Sequence, residues 1–128
     1  MVESDALGEG ILHLTCSATG DWTDGNGVSV GTSATSGIYR MKPGDTCISA
    51  VSAGADDLAK IYLPPVSEVA GKHFFIIAPT GATAGDISLF VAETNAELAT
   101  NGDMDADGDH LILFSSGLAW YTRLDGVA

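Results

Sequence analysis

Gly71-Lys72-His73-Phe74-Phe75-Ile76-Ile77 and Asp109-His110-Leu111-Ile112-Leu113-Phe114-Ser115-Ser116-Gly117-Leu118-Ala119-Trp120-Tyr121 are the stretches that decide the fold. Each carries apolar residues at consecutive positions over a span too short for a helix, and each is bounded by Gly, Asp or Ser. That pattern describes a strand with apolar side chains on both faces, since successive side chains in a strand point opposite ways. Ser115-Ser116-Gly117 reads as the hairpin turn between two such strands.

Outward from these runs the same punctuation recurs. Lys60-Ile61-Tyr62-Leu63 is a strand stopped by Pro64-Pro65, and 66–70 has room for one helical turn. Leu12, Leu14 and Cys16 alternate onto one face of a strand over 11–16. Gly37-Ile38-Tyr39-Arg40-Met41 is a strand ended by Pro43-Gly44, and 46–53 is another, built of small and β-branched residues. Ile87, Leu89 and Val91 alternate in a further strand. Residues 21–27 and 54–57 read as polar turns, 79–85 as a loop, and 93–100 as a short helix or an irregular loop.

Eight or nine strands with no helix long enough to serve as a crossover predict an all-β fold, an antiparallel β-sandwich or a jelly-roll-like barrel. A chain of 128 residues fits one domain, 10–128, preceded by an N-terminal arm over 1–9. A sandwich strand ordinarily wets one face. Phe75, Ile77, Ile112 and Phe114 are therefore covered either by loops of their own chain or by a second subunit, as in a homo-oligomer such as a trimer. Trp120 belongs with them as a core or interface anchor.

Seventeen acidic residues against five basic ones give a net charge of −12. The cations Arg40, Lys42, Lys60, Lys72 and Arg123 are scattered, apart from Arg40 and Lys42, which disfavours nucleic acid and anionic membrane as partners. The acidic N-terminus has no apolar core of a signal peptide, and the run from Phe74 to Pro79 is too short to span a bilayer. The expectation is synthesis in the cytoplasm without export by the general secretion pathway.

Little in the chain points to catalysis. The one Gly-x-Ser-x-Gly spacing, Gly27-Val28-Ser29-Val30-Gly31, is not followed by a helix-forming run, so no nucleophile elbow is read; no phosphate-cradling loop occurs, and His13, His73 and His110 have no metal-ligand spacing. No catalytic, cofactor or metal residues are assigned. Asp103-Met104-Asp105-Ala106-Asp107-Gly108-Asp109 begins like a calcium loop, but its twelfth position is Phe114 rather than a bidentate Glu, so an acidic turn is the simpler reading. Asp21, Asp24 and Asn26 read as a second acidic turn. Cys16 and Cys47 are either reduced thiols or a disulfide, within or between chains. Trp22, Trp120 and Tyr121 are core or interface anchors, or else a sugar-stacking platform.

The order Ile61-Tyr62-Leu63-Pro64, then Gly71-Lys72-His73-Phe74-Phe75-Ile76, then Leu111-Ile112-Leu113-Phe114-Ser115-Ser116-Gly117-Leu118-Ala119-Trp120 resembles a module of tailed-bacteriophage structural proteins. Capsid decoration proteins, head fibres and tail-appendage tips carry it. The likeness covers 60–125. It implies a β-rich, often trimeric virion component with no catalytic residues. On that resemblance the expected function is capsid decoration: binding the major capsid protein on the outside of the head and stabilising the shell. The alternative is a receptor- or glycan-binding module of a head or tail fibre.

Overall fold

The computed structural model describes residues 10–31, 37–53, 59–79, 87–98, 104 and 108–125. The expected arm over 1–9 lies outside them. Among them eleven strands form in chain order: β1 Leu12–Cys16, β2 Trp22–Asp24, β3 Ser29–Gly31, β4 Ile38–Arg40, β5 Cys47–Ser52, β6 Ala59–Tyr62, β7 His73–Ala78, β8 Ile87–Val91, β9 Ala96–Glu97, β10 Asp109–Ser115 and β11 Trp120–Asp125. A 3-10 turn, Val66–Val69, follows Pro64-Pro65. Among the described residues there is no α-helix, and no helix long and apolar enough to cross a membrane.

The strands make two sheets, one ordered β11-β10-β7-β5-β1-β2-β3 and the other β4-β6-β8-β9. The all-β expectation holds, but two parts of it are corrected. The sheets are mixed rather than antiparallel: β1/β5, β5/β7, β4/β6 and β6/β8 are parallel pairs. Neither sheet closes into a barrel. The reason lies in the connections. From β4 to β8 the chain alternates sheets at every strand, so the route between two parallel strands of one sheet runs through a strand of the other. A crossover needs length and a place to pack, which a helix ordinarily supplies. Here a strand supplies both, and the absence of helices did not exclude parallel pairing.

Both sheets contribute to one core. Leu14, Trp22, Ile48, Phe74, Ile76, Leu111 and Leu113 come from the larger sheet, and Tyr39, Ile61, Ile87 and Leu89 from the smaller. The strict alternation in β7 and β10 puts Phe74, Ile76 and Ala78 opposite Leu113, Leu111 and Asp109 on the inner face. Fully burying a side chain such as Phe74 contributes about 1.5–3 kcal/mol.

Two local expectations also change. Residues 93–100 form neither a helix nor an irregular loop over their described part. A turn with Asn95 at φ 55° leads into β9, making a hairpin with β8. Within 21–27, Trp22–Asp24 is a strand whose tryptophan is fully buried, with its indole N–H donated to the Gly37 carbonyl. Turn-type neighbours hid that strand.

Candidate functional site

The outer face of the seven-stranded sheet can be read row by row from its register. Tyr121, Phe114 and His73 lie side by side across β11, β10 and β7. The next row is Ile112, Phe75 and Cys47, and the one after it His110, Ile77, Ser49 and His13. Val51 and Thr15 follow. Phe75, Ile77, Ile112 and Phe114 are half-buried, and Tyr121 is 57% exposed. The four residues expected to need a cover thus form one patch on neighbouring strands. Trp120 does not join them. It points to the inner face, with its ring edge-on to Phe74 at 5.6 Å.

Cationic and imidazole groups rim this patch. All three histidines of the chain project from the same face, because His13, His73 and His110 share strand parity with its apolar residues. His73 packs on Phe114 with ring centroids 4.9 Å apart, and His110 lies 6.2 Å from the Phe75 ring. Arg123, beside a bulge in the β10/β11 ladder, reaches Nε2 of His73 at 2.8 Å. A guanidinium only donates, so Nε2 accepts and this imidazole carries its proton on Nδ1. The rows traced above hold no carboxylate, and at their edge Asp24 lines a cavity together with His13.

The outer face of the smaller sheet is built differently. Tyr62 and Phe90 stack at 5.0 Å, and charged side chains cover them: Arg40 lies 4.6 Å above Tyr62 and Lys60 5.9 Å above Phe90. Long cationic stems that shield aromatic surface while keeping their charge in water make a solvated face. Among the described residues no Lys or Arg lies over Phe75 or Phe114, whose ring neighbours are His110 and His73. The sequence lets both sheets be two-sided; only the cross-strand neighbours show which outer face stays bare.

A groove of about 320 Å³ opens beside the β10–β11 turn, lined mainly by Val66, Val91, Leu98, Leu118 and Trp120, with Glu93 on its wall. Leu118 at the tip is 92% exposed, and the buried indole nitrogen of Trp120 has no hydrogen-bond partner. Glu93 accepts the Val66 N–H at 2.6 Å, pinning the β8–β9 turn to the 3-10 turn. The Ser-x-Gly-x-x-Trp sequence builds the opposite wall. Ser115 Oγ donates to the Val66 carbonyl, Gly117 turns at φ 93° with Ala70 pressed against it, and Trp120 folds inward.

The chain matches no protein-family model, no curated protein and no solved structure.

The remaining candidates fall apart as chemistry. Cys16 and Cys47 are both free. In the parallel β1/β5 pair Cys16 stands opposite Ser52, five residues along from Cys47, which is about 16 Å of strand, and the two thiols face opposite sides. A bridge needs Cα atoms within about 7 Å, so the intrachain disulfide is excluded. Burial, reinforced by the Asp21 charge, pushes the Cys16 thiol up to about 11. Asp24 accepts the N–H groups of Asn26 and Val28, and Asp21 accepts the Thr19 hydroxyl, so that acidic turn is occupied in building its own backbone. Most of the loop 103–109 lies outside the described residues; within it Met104 is buried and bridges to Ile87, and Asp109 is buried in β10. Among the described residues, no three His, Cys, Asp or Glu side chains gather as metal ligands do. The three aromatics of the supposed platform are dispersed: Trp22 is in the core, Trp120 on the inner face and Tyr121 on the outer.

Proposed function

We propose that this protein is a capsid decoration protein of a tailed bacteriophage, a β-sandwich that assembles as a homotrimer on the outside of the head and stabilises the shell. The observation that carries the reading is the apolar patch of Phe75, Ile77, Ile112, Phe114 and Tyr121, which no other described strand or loop overlies, on a protein that is otherwise acidic. Contiguous apolar surface on one sheet face, while cationic side chains cover the aromatics on the other sheet's outer face, marks a place where another chain packs. Two further points support it. The motif residues Ser115, Gly117 and Trp120 serve to build a rigid hairpin corner, a constructional role in keeping with the resemblance to phage structural proteins. The surplus of negative charge keeps such a protein off packaged DNA and favours docking to a basic surface of the major capsid protein. Several copies holding several capsomers would bind through many weak contacts at once, with residues 1–9 of each copy as a docking arm.

The experiment uses particles of the phage that encodes the chain. Shells stripped of the protein are incubated with purified protein, sedimented, and heated with and without it. Co-sedimentation and a raised disruption temperature are expected. Failure to bind intact shells, with no change in their heat stability, would sink the proposal.

A further inference from the structure

We infer that Asn26-Gly27, in the turn between β2 and β3, is a self-modification site that the fold holds shut: Asn26 deamidates through a succinimide only when that turn opens. An asparagine followed by glycine carries its own electrophile and its own nucleophile. The backbone nitrogen of the next residue attacks the side-chain carbonyl carbon, and glycine, without a Cβ, leaves that nitrogen unhindered. Here the Gly27 nitrogen bonds to Cγ of Asn26 and gives up its proton. The Cγ–Nδ2 bond breaks, and Nδ2 leaves with a proton as ammonia. Water then opens the five-membered ring at either carbonyl and yields aspartate or isoaspartate at position 26. No oxidant, reductant or cofactor is consumed. Both products are permanent, so the change accumulates as a record of each opening.

Among the described residues nothing crowds the site. Asn26 is exposed, and it borders an open cavity of about 300 Å³ that it shares with His13 and Asp24, so water for the second step is at hand. No atom lies within 4 Å of where a Gly27 Cβ would stand. The backbone is what stands in the way. The attacking group, Gly27 N–H, donates to the Asp24 carbonyl at 3.0 Å and closes a β-turn over 24–27. Its central residues Gly25 and Asn26 have negative φ, and Gly27 follows at φ 80°, the pattern of a type I turn that ends on glycine. The second central residue of such a turn has ψ near about 0°. Ring closure needs the Gly27 nitrogen on the Cβ side of Asn26, a rotation of roughly 120° about Cα–C, and the bond to Asp24 does not survive it. Asp24 ties down the rest. Its Oδ1 accepts the N–H of Asn26 at 2.9 Å and that of Val28 at 3.0 Å, and its own N–H donates to the Val28 carbonyl at 2.9 Å. A group that reacts only from a locally opened state does so at a rate set by the population of that state. Each of these four bonds shifts the closed-to-open ratio about twofold to tenfold, so together they slow the native reaction at least about tenfold.

The test follows deamidation by mass spectrometry, in native buffer and in guanidinium chloride at the same mildly alkaline pH. Trypsin releases 1–40, in which Asn26 is the one amide side chain, so the mass gain of amide-to-acid conversion in that peptide reports Asn26 alone. Isomerisation at Asp24-Gly25 changes no mass. The other Asn-Gly pair, Asn101-Gly102, lies outside the described residues and falls on a separate peptide, 73–123. Ready conversion of Asn26 is expected in denaturant, and conversion at least about tenfold slower in the native protein. Asp24→Ala, with its fold checked by circular dichroism, removes the acceptor of two of the four bonds. It is expected to raise the native rate several-fold and to leave the rate in denaturant unchanged. Equal wild-type rates in native buffer and denaturant would overturn the inference, because the turn would then guard nothing. A peptide 1–40 that gains no mass in denaturant would overturn it too, since the site itself would be missing. A folded Asp24→Ala protein that deamidates as slowly as wild type would show that these bonds are not the guard, and the inference would fall as well.

Discussion

Replacing Ser115 with Ala tests whether the corner between the 3-10 turn and the β10–β11 hairpin is held as the structure indicates. Ser115 is completely buried. Its Oγ donates to the Val66 carbonyl at 2.7 Å and accepts the Gly117 N–H at 3.1 Å. Its backbone accepts from Gly71 N–H at 2.8 Å and donates to Lys72 O at 3.1 Å, and both bonds survive the substitution. The change therefore removes one atom: the Gly117 N–H loses its acceptor, and the Val66 carbonyl loses one donor while keeping the i→i+3 bond from the Val69 N–H of the 3-10 turn. Each lost hydrogen bond contributes about 0.5–1.5 kcal/mol. The expected loss is about 1–2 kcal/mol, which lowers Tm by roughly 3–8 °C for a domain of this size. In urea the midpoint should fall with the slope unchanged, since the surface exposed on unfolding is the same. Ser116→Ala is the matched control: Ser116 is exposed, its Oγ bonds only within the turn, and a loss of about 0.5–1 kcal/mol is expected. A Ser115→Ala protein within about 0.5 kcal/mol of wild type, or no less stable than Ser116→Ala, would refute the reasoning.

The two cysteines should separate in a thiol-labelling experiment. Cys47, half-buried on the outer face, should react in the native protein and be protected when the apolar face is covered, whereas fully buried Cys16 should react only on unfolding; equal native rates would contradict their placement. Alkaline pH should destabilise the fold. The folded state holds the Cys16 proton up to about 11 against 9.0 in the unfolded chain, so this contribution is complete below pH 9 and is lost as pH rises through about 11. Two pH units correspond to a loss of the order of 2 kcal/mol. Tyr39, raised above its usual value by burial and by its hydrogen bond to Asp45, acts in the same direction from about pH 10 upward. Urea midpoints measured from pH 8 to 11 should therefore fall, and less steeply in Cys16→Ala; parallel curves for the two proteins would remove Cys16 as a cause.

Much of the local structure was legible because period two and turn residues are local signals. Leu12, Leu14 and Cys16 do share a buried side, Pro64-Pro65 does end β6, and Gly117 does turn the last hairpin. β2 and β9 were missed for an equally local reason. Three-residue and two-residue strands amid Asp, Thr, Asn and Gly present too few alternations to outweigh turn chemistry. Phe75, Ile77, Ile112 and Phe114 could be singled out because consecutive apolar residues require two covered faces. Their gathering into one patch depended on the β7/β10 register, which no single strand encodes. The parity of His73 with Phe75 and of His110 with Ile112 was readable, but gained meaning only once both strands were seen side by side.

By itself, then, the sequence determined that this is an all-β chain, where most of its strands begin and end, and which apolar residues lie beyond what one face can bury. These follow from side-chain periodicity and backbone stereochemistry within a few residues. Only the tertiary structure decided that the strands pair in parallel through the opposite sheet, that Cys16 and Cys47 cannot meet, and that the histidines and Arg123 rim one bare apolar face. Each of those depends on which distant strands become neighbours. That choice is made by the burial of a shared core, not by any local stretch of chain.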